Sequence, residues 1–470
     1  MGIVWRSLML IASAFLSLPP PAFAQIGSRL RQPPAPRPAD AAGAQYAFYE
    51  GDLRFERGAD PVCTALTNGT HKVYFAARTG PRGVEAYMYG YQIMNAYITG
   101  SDANHLLVAF LGESAPSHPM RLQAIGTGFT GQVQSKTLVS ELYGACTASN
   151  AEFKVIRTDR DAQNAFQAYA EQFQLDVSSE QDLLLAQHGN IKEALPRLQQ
   201  AFAQKSAKFS ADHPQMLRYY FYLARAYEEA GLYPYSAYWY QKSANVCAKS
   251  FGADNACTPI TLLKLGQSLA FNGDLRGAET SIREALLTAE KVFGPHAPVS
   301  WIGLNALAVV LIATGRYAEA ESTLKQALAL GRQAPGADVN AATVKMTYAV
   351  LYGQTGQFKL AESTLREAIN TDLKAQGRDS AASILPRVFL AQVMSQAGRS
   401  AAAEPIARDA LDQAVKFLGP QRPDHPSLSI ARRTLANIYI ELGRFRNADS
   451  LLRLALDNDK IGRASCRERV

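Results

Sequence analysis

The cysteines are the residues of this chain that are best suited to chemistry. Apart from Cys466, four are present, and none of them are spaced as CxxC, so the sequence supports neither a zinc site nor a thioredoxin-like dithiol. Four cysteines allow three disulfide pairings. The simplest of these predicts Cys63–Cys146 in the first part of the chain and Cys247–Cys257 in the second, which suits an oxidising compartment.

Histidine, the other common catalytic and metal-binding residue, forms no cluster in the sequence. Three of the seven histidines, His213, His296 and His425, lie in similar proline-containing segments far apart along the chain, and we expect these segments to be loops. GxSxG, HExxH and P-loop sequences are absent. GTGFTG at 126–131 formally matches a dinucleotide fingerprint, but a strand-like sequence follows it where that fold needs a helix. The sequence therefore predicts no catalytic residue, no metal and no cofactor.

The first residues are typical of a secretory signal peptide. Within 1–24, Arg6 supplies the charged start, residues 8–18 an apolar core, and Ala22-Phe23-Ala24 a cleavage signature. No cysteine follows the apolar core, which disfavours a lipoprotein, and the core is only about half a membrane span. We therefore expect a bacterial protein that is periplasmic or secreted, without stable membrane insertion after signal removal.

The next two segments differ sharply in composition. Residues 25–43 are rich in proline and alanine, which predicts an extended linker. Residues 44–156 contain short runs of β-formers, such as Val73–Ala76, separated by glycine and proline, which predicts a small antiparallel β-domain, either a sandwich or a barrel. A connecting helix is expected over residues 157–174.

The rest of the chain carries a repeat. A glycine recurs in steps of 41 to 45 residues, and a small residue follows it at both five and twelve positions. A period of this length is the signature of a stacked repeat array. The repeat-defining glycines are Gly189, Gly231, Gly273, Gly315, Gly356, Gly398 and Gly443.

One unit shows why this pattern predicts paired helices. From Trp301 onward, apolar residues at helical spacing run to Gly315, after which a second helical pattern begins. Glycine supplies the backbone freedom of a tight helix–helix turn. Ala320 and Ala327 lie two turns apart on one face of the second helix, so this helix can approach the first closely.

With these residues, the array over 175–460 resembles the tetratricopeptide repeat (TPR), specifically the 42-residue variety of kinesin light chain and its bacterial exported relatives. Segments such as ADHPQ at 211–215 are similar to the inter-repeat turn of that variety. The first unit departs from the pattern, because Asp182 stands where a small residue is expected. The resemblance implies a multidomain α+β protein whose helical part is a seven-unit solenoid with a concave groove, a non-enzymatic scaffold that binds a protein or peptide partner.

The resemblance also implies which side chains face the groove, namely those ten and six residues before each glycine. They combine apolar groups, amides and arginines, which suits an extended peptide, although each could instead belong to a solvated face. The peptide-binding residues predicted in this way are Phe221, Arg225, Leu263, Gln267, Asn305, Met346, Gln392, Arg433 and Asn437. The stretch from Arg218 to Gln241 is dense in aromatic residues, which either fill the core and dock the β-domain or form a recognition surface.

The formal net charge of +7 overstates the charge of the natural mature chain. Residues 461–470 break the repeat pattern inside a helix and match the translation of a sequencing adapter, so we interpret them as an artefact. Arg6 contributes one of the positive charges and the last ten residues contribute a net two, which leaves about +4. So small a charge, spread over the whole chain, predicts no nucleic-acid partner.

Two other function classes stay open. If the natural chain continues beyond Lys460, the array could be the regulatory N-terminal part of a truncated CHAT-type caspase-like peptidase whose catalytic domain is missing. Residues 25–460 supply no Cys–His pair for that chemistry. Carbohydrate binding by the β-domain is the third class, and it rests on Tyr87, Tyr89 and Tyr91.

Overall fold

The computed structural model describes strands between residues 47 and 157 and, with short gaps, a helical part from residue 175 to residue 467. The segments that join the strands lie outside the described residues, as do the predicted signal peptide (1–24), the linker (25–43) and the connecting helix after Arg157. The gaps in the helical part are at 176–177, 180, 188–189, 214–215, 252–256, 295–296, 334–336, 377–382 and 419–425.

The strands form where β-branched and aromatic residues alternate with small or polar ones. They are β1 (Ala47–Phe55), β2 (Thr70–Gly80), β3 (Gly83–Gly90), β4 (Asn95–Gly100), β5 (Leu106–Phe110), β6 (His118–Ile125), β7 (Gly128–Val133), β8 (Leu138–Ser140), β9 (Gly144–Cys146) and β10 (Ala151–Arg157). Eight of them pair in the order β1-β10-β7-β6-β5-β4-β3-β2 as a closed antiparallel barrel, and β8 pairs with β9. Because GFTG lies within β7, the glycine-rich sequence continues as a strand, and the dinucleotide fingerprint lacks its helix.

Helices fill the second part of the chain. They are α1 (Ile191–Ser206), α2 (Leu217–Glu229), α3 (Tyr233–Phe251), α4 (Cys257–Asn272), α5 (Leu275–Phe293), α6 (Pro298–Ala313), α7 (Tyr317–Gly331), α8 (Ala337–Gln354), α9 (Phe358–Gln376), α10 (Ile384–Gln396), α11 (Ser400–Phe417), α12 (Pro426–Glu441) and α13 (Phe445–Arg467). Units two to seven are the successive pairs from α2–α3 to α12–α13. The first unit combines helical residues at 181–187 with α1. Its atypical Asp182 is buried and forms an ion pair with Arg197 at 3.4 Å.

The repeat glycines make the turns that the sequence predicts. Six of them have positive φ, from 70° at Gly231 to 92° at Gly273; Gly189 lies outside the described residues. At Gly315, the glycine N–H donates to the carbonyl of Ile312 (3.1 Å) and the next N–H donates to that of Leu311 (2.9 Å). This pair of bonds closes the first helix and redirects the chain into the second.

Small residues line the contact between the paired helices. All fourteen positions that lie five and twelve residues after the glycines are buried, with at most 5% of any residue exposed. These residues are Ala194, Ala201, Ser236, Ser243, Ala278, Ala285, Ala320, Ala327, Ala361, Ala368, Ala403, Ala410, Ala448 and Ala455. The buried apolar residues form one continuous cluster from Leu183 to Ala448, so each unit buries its apolar surface against its neighbours. The structure thus confirms a helical TPR-like solenoid.

Cys247 and Cys257 lie where α3 ends and α4 begins. Both are buried, and their sulfur atoms lie at the distance of a disulfide, with 6.0 Å between their Cα atoms. They pack with Met216 and Leu217 in a small cluster beside the main core. The other predicted pair, Cys63–Cys146, lies outside the described residues because of its first cysteine.

Within the described residues, no helix is long and apolar enough to cross a membrane.

A repeated ion-pair arrangement joins neighbouring units at three places; we call it the junction clamp. It consists of a glutamate six residues after a repeat glycine, an arginine four residues later, and an arginine directly after the next glycine. In units three and four, Glu279 lies 2.8 Å from Arg283 and 2.7 Å from Arg316. The other two clamps are Glu362 with Arg366 and Arg399, and Glu404 with Arg408 and Arg444.

The junction between units four and five differs from these three. Glu321 pairs with Lys325 in its own helix at 3.2 Å. The position after the next glycine is Gln357 instead of an arginine. A hydrogen bond from the Tyr348 hydroxyl to the carbonyl oxygen of Glu321 (3.4 Å) spans this junction. Its side-chain contacts across the units are therefore less ionic than those of the three clamped junctions.

Replacing Gly266 with alanine should destabilise the array. An added Cβ would lie 2.5 Å from Cγ1 of Ile282 and 3.0 Å from the carbonyl oxygen of Ala278, so α4 and α5 would have to separate. We expect a loss of about 2 kcal/mol in the free energy of unfolding, measured with urea. Gly353→Ala is the control, since its Cβ meets nothing closer than 3.8 Å. This control should gain about 0.5 kcal/mol from helix propensity, and equal losses in both variants would contradict the close approach.

Gln357→Arg should build the missing junction clamp. The new guanidinium would join Glu321 and Lys325 in the arrangement seen at the three clamped junctions. We expect the thermal midpoint to rise by roughly 2 °C at low salt, because exposed ion-pair networks contribute little each. The gain should vanish in molar salt, where such pairs are screened. A gain that persists in high salt, or that Gln357→Met reproduces, would show that charge pairing is not the cause.

Candidate functional site

The first helices of the units form the inner layer of the array. Helices α4, α6 and α8 pack side by side, and so do α10 and α12. In a curved stack, the layer whose elements contact their equivalents directly is the concave one. We call the accessible sides of α2, α4, α6, α8, α10 and α12 the inner face.

Four of the predicted groove residues are buried. Phe221, Leu263, Gln267 and Met346 are each at most 5% exposed. The ring of Phe221 packs edge to face on Tyr240 with 5.6 Å between centroids. As placed, these side chains belong to the packing beneath the inner face, so the prediction that they line an open groove needs this correction. The physical reason is that units this close together cover the long side chains at these positions, the polar Gln267 as well as the three apolar residues.

The other predicted groove residues are more accessible. Asn437 is exposed, and Asn305, Gln392 and Arg433 are half-buried. The Nε of Arg433 donates to the carbonyl oxygen of Ser429 in its own helix at 3.3 Å. The inner face therefore presents amide side chains from three different units, and each amide can both donate and accept hydrogen bonds.

Arg225 has a structural role that the sequence did not reveal. Its guanidinium lies 3.2 Å from Glu228 and 3.4 Å from Glu229, and all three side chains are largely buried. Lys264 of the next unit reaches Glu228 at 3.5 Å, and the Tyr240 hydroxyl donates to the same carboxylate at 2.7 Å. We call these five residues the Glu228 cluster. Because Arg225 holds two buried carboxylates, it is not a free arginine that awaits a ligand.

The protonation of the Glu228 cluster follows from burial and pairing. Burial alone would raise the pKa of Glu228, but the cations of Lys264 and Arg225 and the Tyr240 hydroxyl outweigh this effect and lower it. Burial lowers the pKa of Lys264, and the Glu228 charge opposes the shift. Burial and the same charge raise the pKa of Tyr240 well above its usual value. The sequence signals for this cluster were the spacing of Arg225 three and four residues before Glu228 and Glu229, and the opposite charges on the first helices of successive units.

Two amide side chains of the first helices have buried polar atoms without a hydrogen-bond partner. The Nε2 and Oε1 atoms of Gln267 are buried without a hydrogen-bond partner, and so is Oδ1 of Asn305. A buried polar atom without a partner costs about 1–3 kcal/mol, and an ordered water or a bound group can supply the partner. Of the residues predicted for the groove, these two have polar atoms that are available to a bound group.

The aromatic stretch on α2 and α3 serves mainly as core. Tyr220 stacks on Trp239 at 5.7 Å, and Phe202 packs edge to face on Trp239 at 5.0 Å. Tyr235 and Tyr238 remain exposed.

Where the structure describes side chains, it brings together no group of three or more histidine, cysteine or acidic residues that could hold a metal.

A family model described as "MalT-like TPR region" matches residues 208–464. Among curated proteins, a clustered mitochondria protein homolog of Coccidioides immitis (strain RS) is 29% identical over 117 residues, which is 24% of this chain and 9% of that protein. The chain therefore spans less than a tenth of the length of that relative.

Among solved structures, TPR-like repeats assigned to a kinesin light chain of Podosopora anserina share 20% identity, with a TM-score of 0.32. The match covers 45% of this chain and 96% of that one. The apo form of RapI shares 11% identity over 61% of this chain and 97% of its own, with a TM-score of 0.46.

Glu228→Gln should remove much of the stability of the second and third units. The variant leaves Arg225 and Lys264 without their shared carboxylate, and breaking a buried ion pair in this way costs about 3 kcal/mol at neutral pH. Because the folded-state pKa of Glu228 is lowered from its ordinary 4.5, its contribution is complete above that pH and is lost as the pH falls through the folded value. The difference from wild type should therefore shrink in acid, as measured by urea unfolding at several pH values.

The exposed Glu284 supplies the control for this measurement. Glu284→Gln, on the outer surface of α5, should change the free energy of unfolding little at any pH. A Glu228→Gln variant that matches this control throughout would contradict the role of the Glu228 cluster.

Proposed function

The chain belongs to the MalT-like TPR family, and from this premise we propose that it is an exported, non-enzymatic scaffold that binds an extended peptide or an extended segment of a partner protein on its inner face. The signal-like residues 1–24 support export to the periplasm or beyond the cell. A repeat array with a long concave surface is suited to a linear ligand.

The observation that carries this proposal is the spread of amide side chains along the inner face. Asn305, Gln392 and Asn437 belong to units four, six and seven, and each is at least partly accessible. An amide side chain offers the donor and the acceptor that a peptide backbone requires, whatever the ligand sequence. Placing such groups on rigid helices keeps them in position before the ligand arrives, which lowers the entropy cost of binding.

The strands of residues 47–157 fit this proposal as a separate β-domain. We infer that it adds a second contact with the partner or holds the array in place. Two linked contacts would raise the overall affinity even if each alone were weak. The eight strand pairings of the barrel leave it without an open edge, which suits a stable support.

Replacing Asn437 and Gln392 with alanine should weaken ligand binding without unfolding the chain. The probe is a phage-displayed library of random dodecapeptides panned against the chain, with selected peptides then measured by fluorescence anisotropy. We expect each variant to bind about five- to tenfold more weakly, because one hydrogen bond to the ligand contributes about 1 kcal/mol. The thermal midpoint should stay unchanged.

The matched control is Asn447→Ala, on the second helix of the same unit, where the side chain is also exposed. It should bind the selected peptides as wild type does. Equal peptide affinities for all variants, or a loss of affinity with Asn447→Ala alone, would place the binding surface elsewhere. Either result would contradict binding on the inner face.

A further inference from the structure

The middle of the inner face is nearly free of charge. Helix α6 contains no ionisable side chain at all. On α4, Lys264 is the one charged residue, and it pairs with Glu228. On α8, Lys345 pairs with Glu367 on the second helix of its unit at 2.6 Å, and Asp338 lies exposed in the first turn of the helix. A ligand that crosses units three to five therefore meets few groups that could pair with a charge of its own.

The two amides that lack partners lie at nearly the same level in this middle region. A Cβ at Gly303 of α6 would lie 3.8 Å from Cδ1 of Leu263 and 2.8 Å from Cδ2 of Leu286, which fixes the register of α6 against α4. Both helices run in the same direction and rise about 1.5 Å per residue. Asn305 is two residues beyond Gly303, and Gln267 is four residues beyond Leu263, so they differ by about 3 Å along the helices.

The unpaired atoms of these amides define a donor and two acceptors. Gln267 is only 4% exposed, and neither Nε2 nor Oε1 has a partner; Oδ1 of Asn305 adds a second acceptor. Gln267 lies in the packing beneath the inner face, so its side chain must turn toward the groove before a bound group can reach its two atoms. A peptide backbone carries carbonyl acceptors and N–H donors on neighbouring residues. Its carbonyl groups can accept from the amide donor, and its N–H groups can donate to the two amide acceptors.

We propose that the inner face of units three to five selects an uncharged stretch of extended polypeptide whose backbone bonds to Gln267 and Asn305. This inference rests on the proposed function and names the class of ligand. A carboxylate or ammonium group here would lose its water without gaining a counter-charge, which is strongly unfavourable. With inner helices 8–10 Å apart and about 3.3 Å per extended residue, the uncharged stretch is about six residues long.

Charged groups return at the far end of the face. Arg387 of α10 pairs with Asp409 at 3.5 Å, as Lys345 pairs with Glu367, whereas α12 carries two arginines, Arg432 and Arg433. Arg432 donates a hydrogen bond to the carbonyl oxygen of Leu454 (3.4 Å). In units five and six, the residue equivalent to Arg432 forms an ion pair with a carboxylate at the position of Leu454. Charged ligand residues are therefore tolerated beyond the central stretch but not within it.

Gln267→Leu tests the central site directly. Leucine is comparable in size and removes the unpaired polar atoms, so the free energy of unfolding should stay equal or rise. The peptides selected from the dodecapeptide library should nevertheless bind about tenfold more weakly. The control is Gln241→Leu, an exposed glutamine on α3 that bonds to Asn245, and it should leave peptide affinity unchanged.

Substitution within the selected peptides tests the ligand class. Aspartate or lysine at a central position should weaken binding about tenfold or more, whereas the same residues at the ends should have little effect. One result would overturn this inference and leave the proposed function in place. In that result, peptides with central charges are selected, and their affinity falls with Asn437→Ala but is unchanged with Gln267→Leu. The absence of any enriched peptide would overturn both.

Discussion

The structure depends on the close approach of two helices at a pair of small residues, repeated in every unit. Ala320 and Ala327, and their equivalents, leave room for the facing helix, and Gly266 shows how little space remains. This approach fixes the distance between the layers, and the distance fixes which positions of the first helix are covered. The continuous core follows, because no unit can bury its apolar side except against the next one.

The same constraint decides where charge can lie. Close packing leaves the outer edges of the second helices for ion pairs, where three junction clamps join neighbouring units. On the inner side it forces charge into pairs, as in the Glu228 cluster, or excludes it, as on α6. The result is an inner face whose ends are ionic and whose centre offers amides and aliphatic groups. That distribution is the basis of the ligand class proposed above.

The sequence predicted the array well and the site less well. The glycine period predicted the turns inside units two to seven, since positive φ and a small neighbour depend on local residue types. The groove assignment mixed buried and accessible positions, because Phe221 and Asn305 occupy equivalent places and only packing separates them. Arg225 was predicted to face a ligand, yet it pairs with Glu228 and Glu229 of its own helix. The pairing of Glu228 with Lys264 of the next unit depends on a register between helices that a single sequence does not specify.

The most direct test of the account is nuclear magnetic resonance of the glutamine side chains. The full chain, labelled with ¹⁵N at glutamine, would be titrated with a selected peptide, and the Nε2 signal of Gln267 would be assigned by its loss in Gln267→Leu. The account predicts that this signal shifts and its exchange with water slows on binding, while that of Gln241 stays unchanged. Peptide binding that leaves the Gln267 signal unmoved would contradict it.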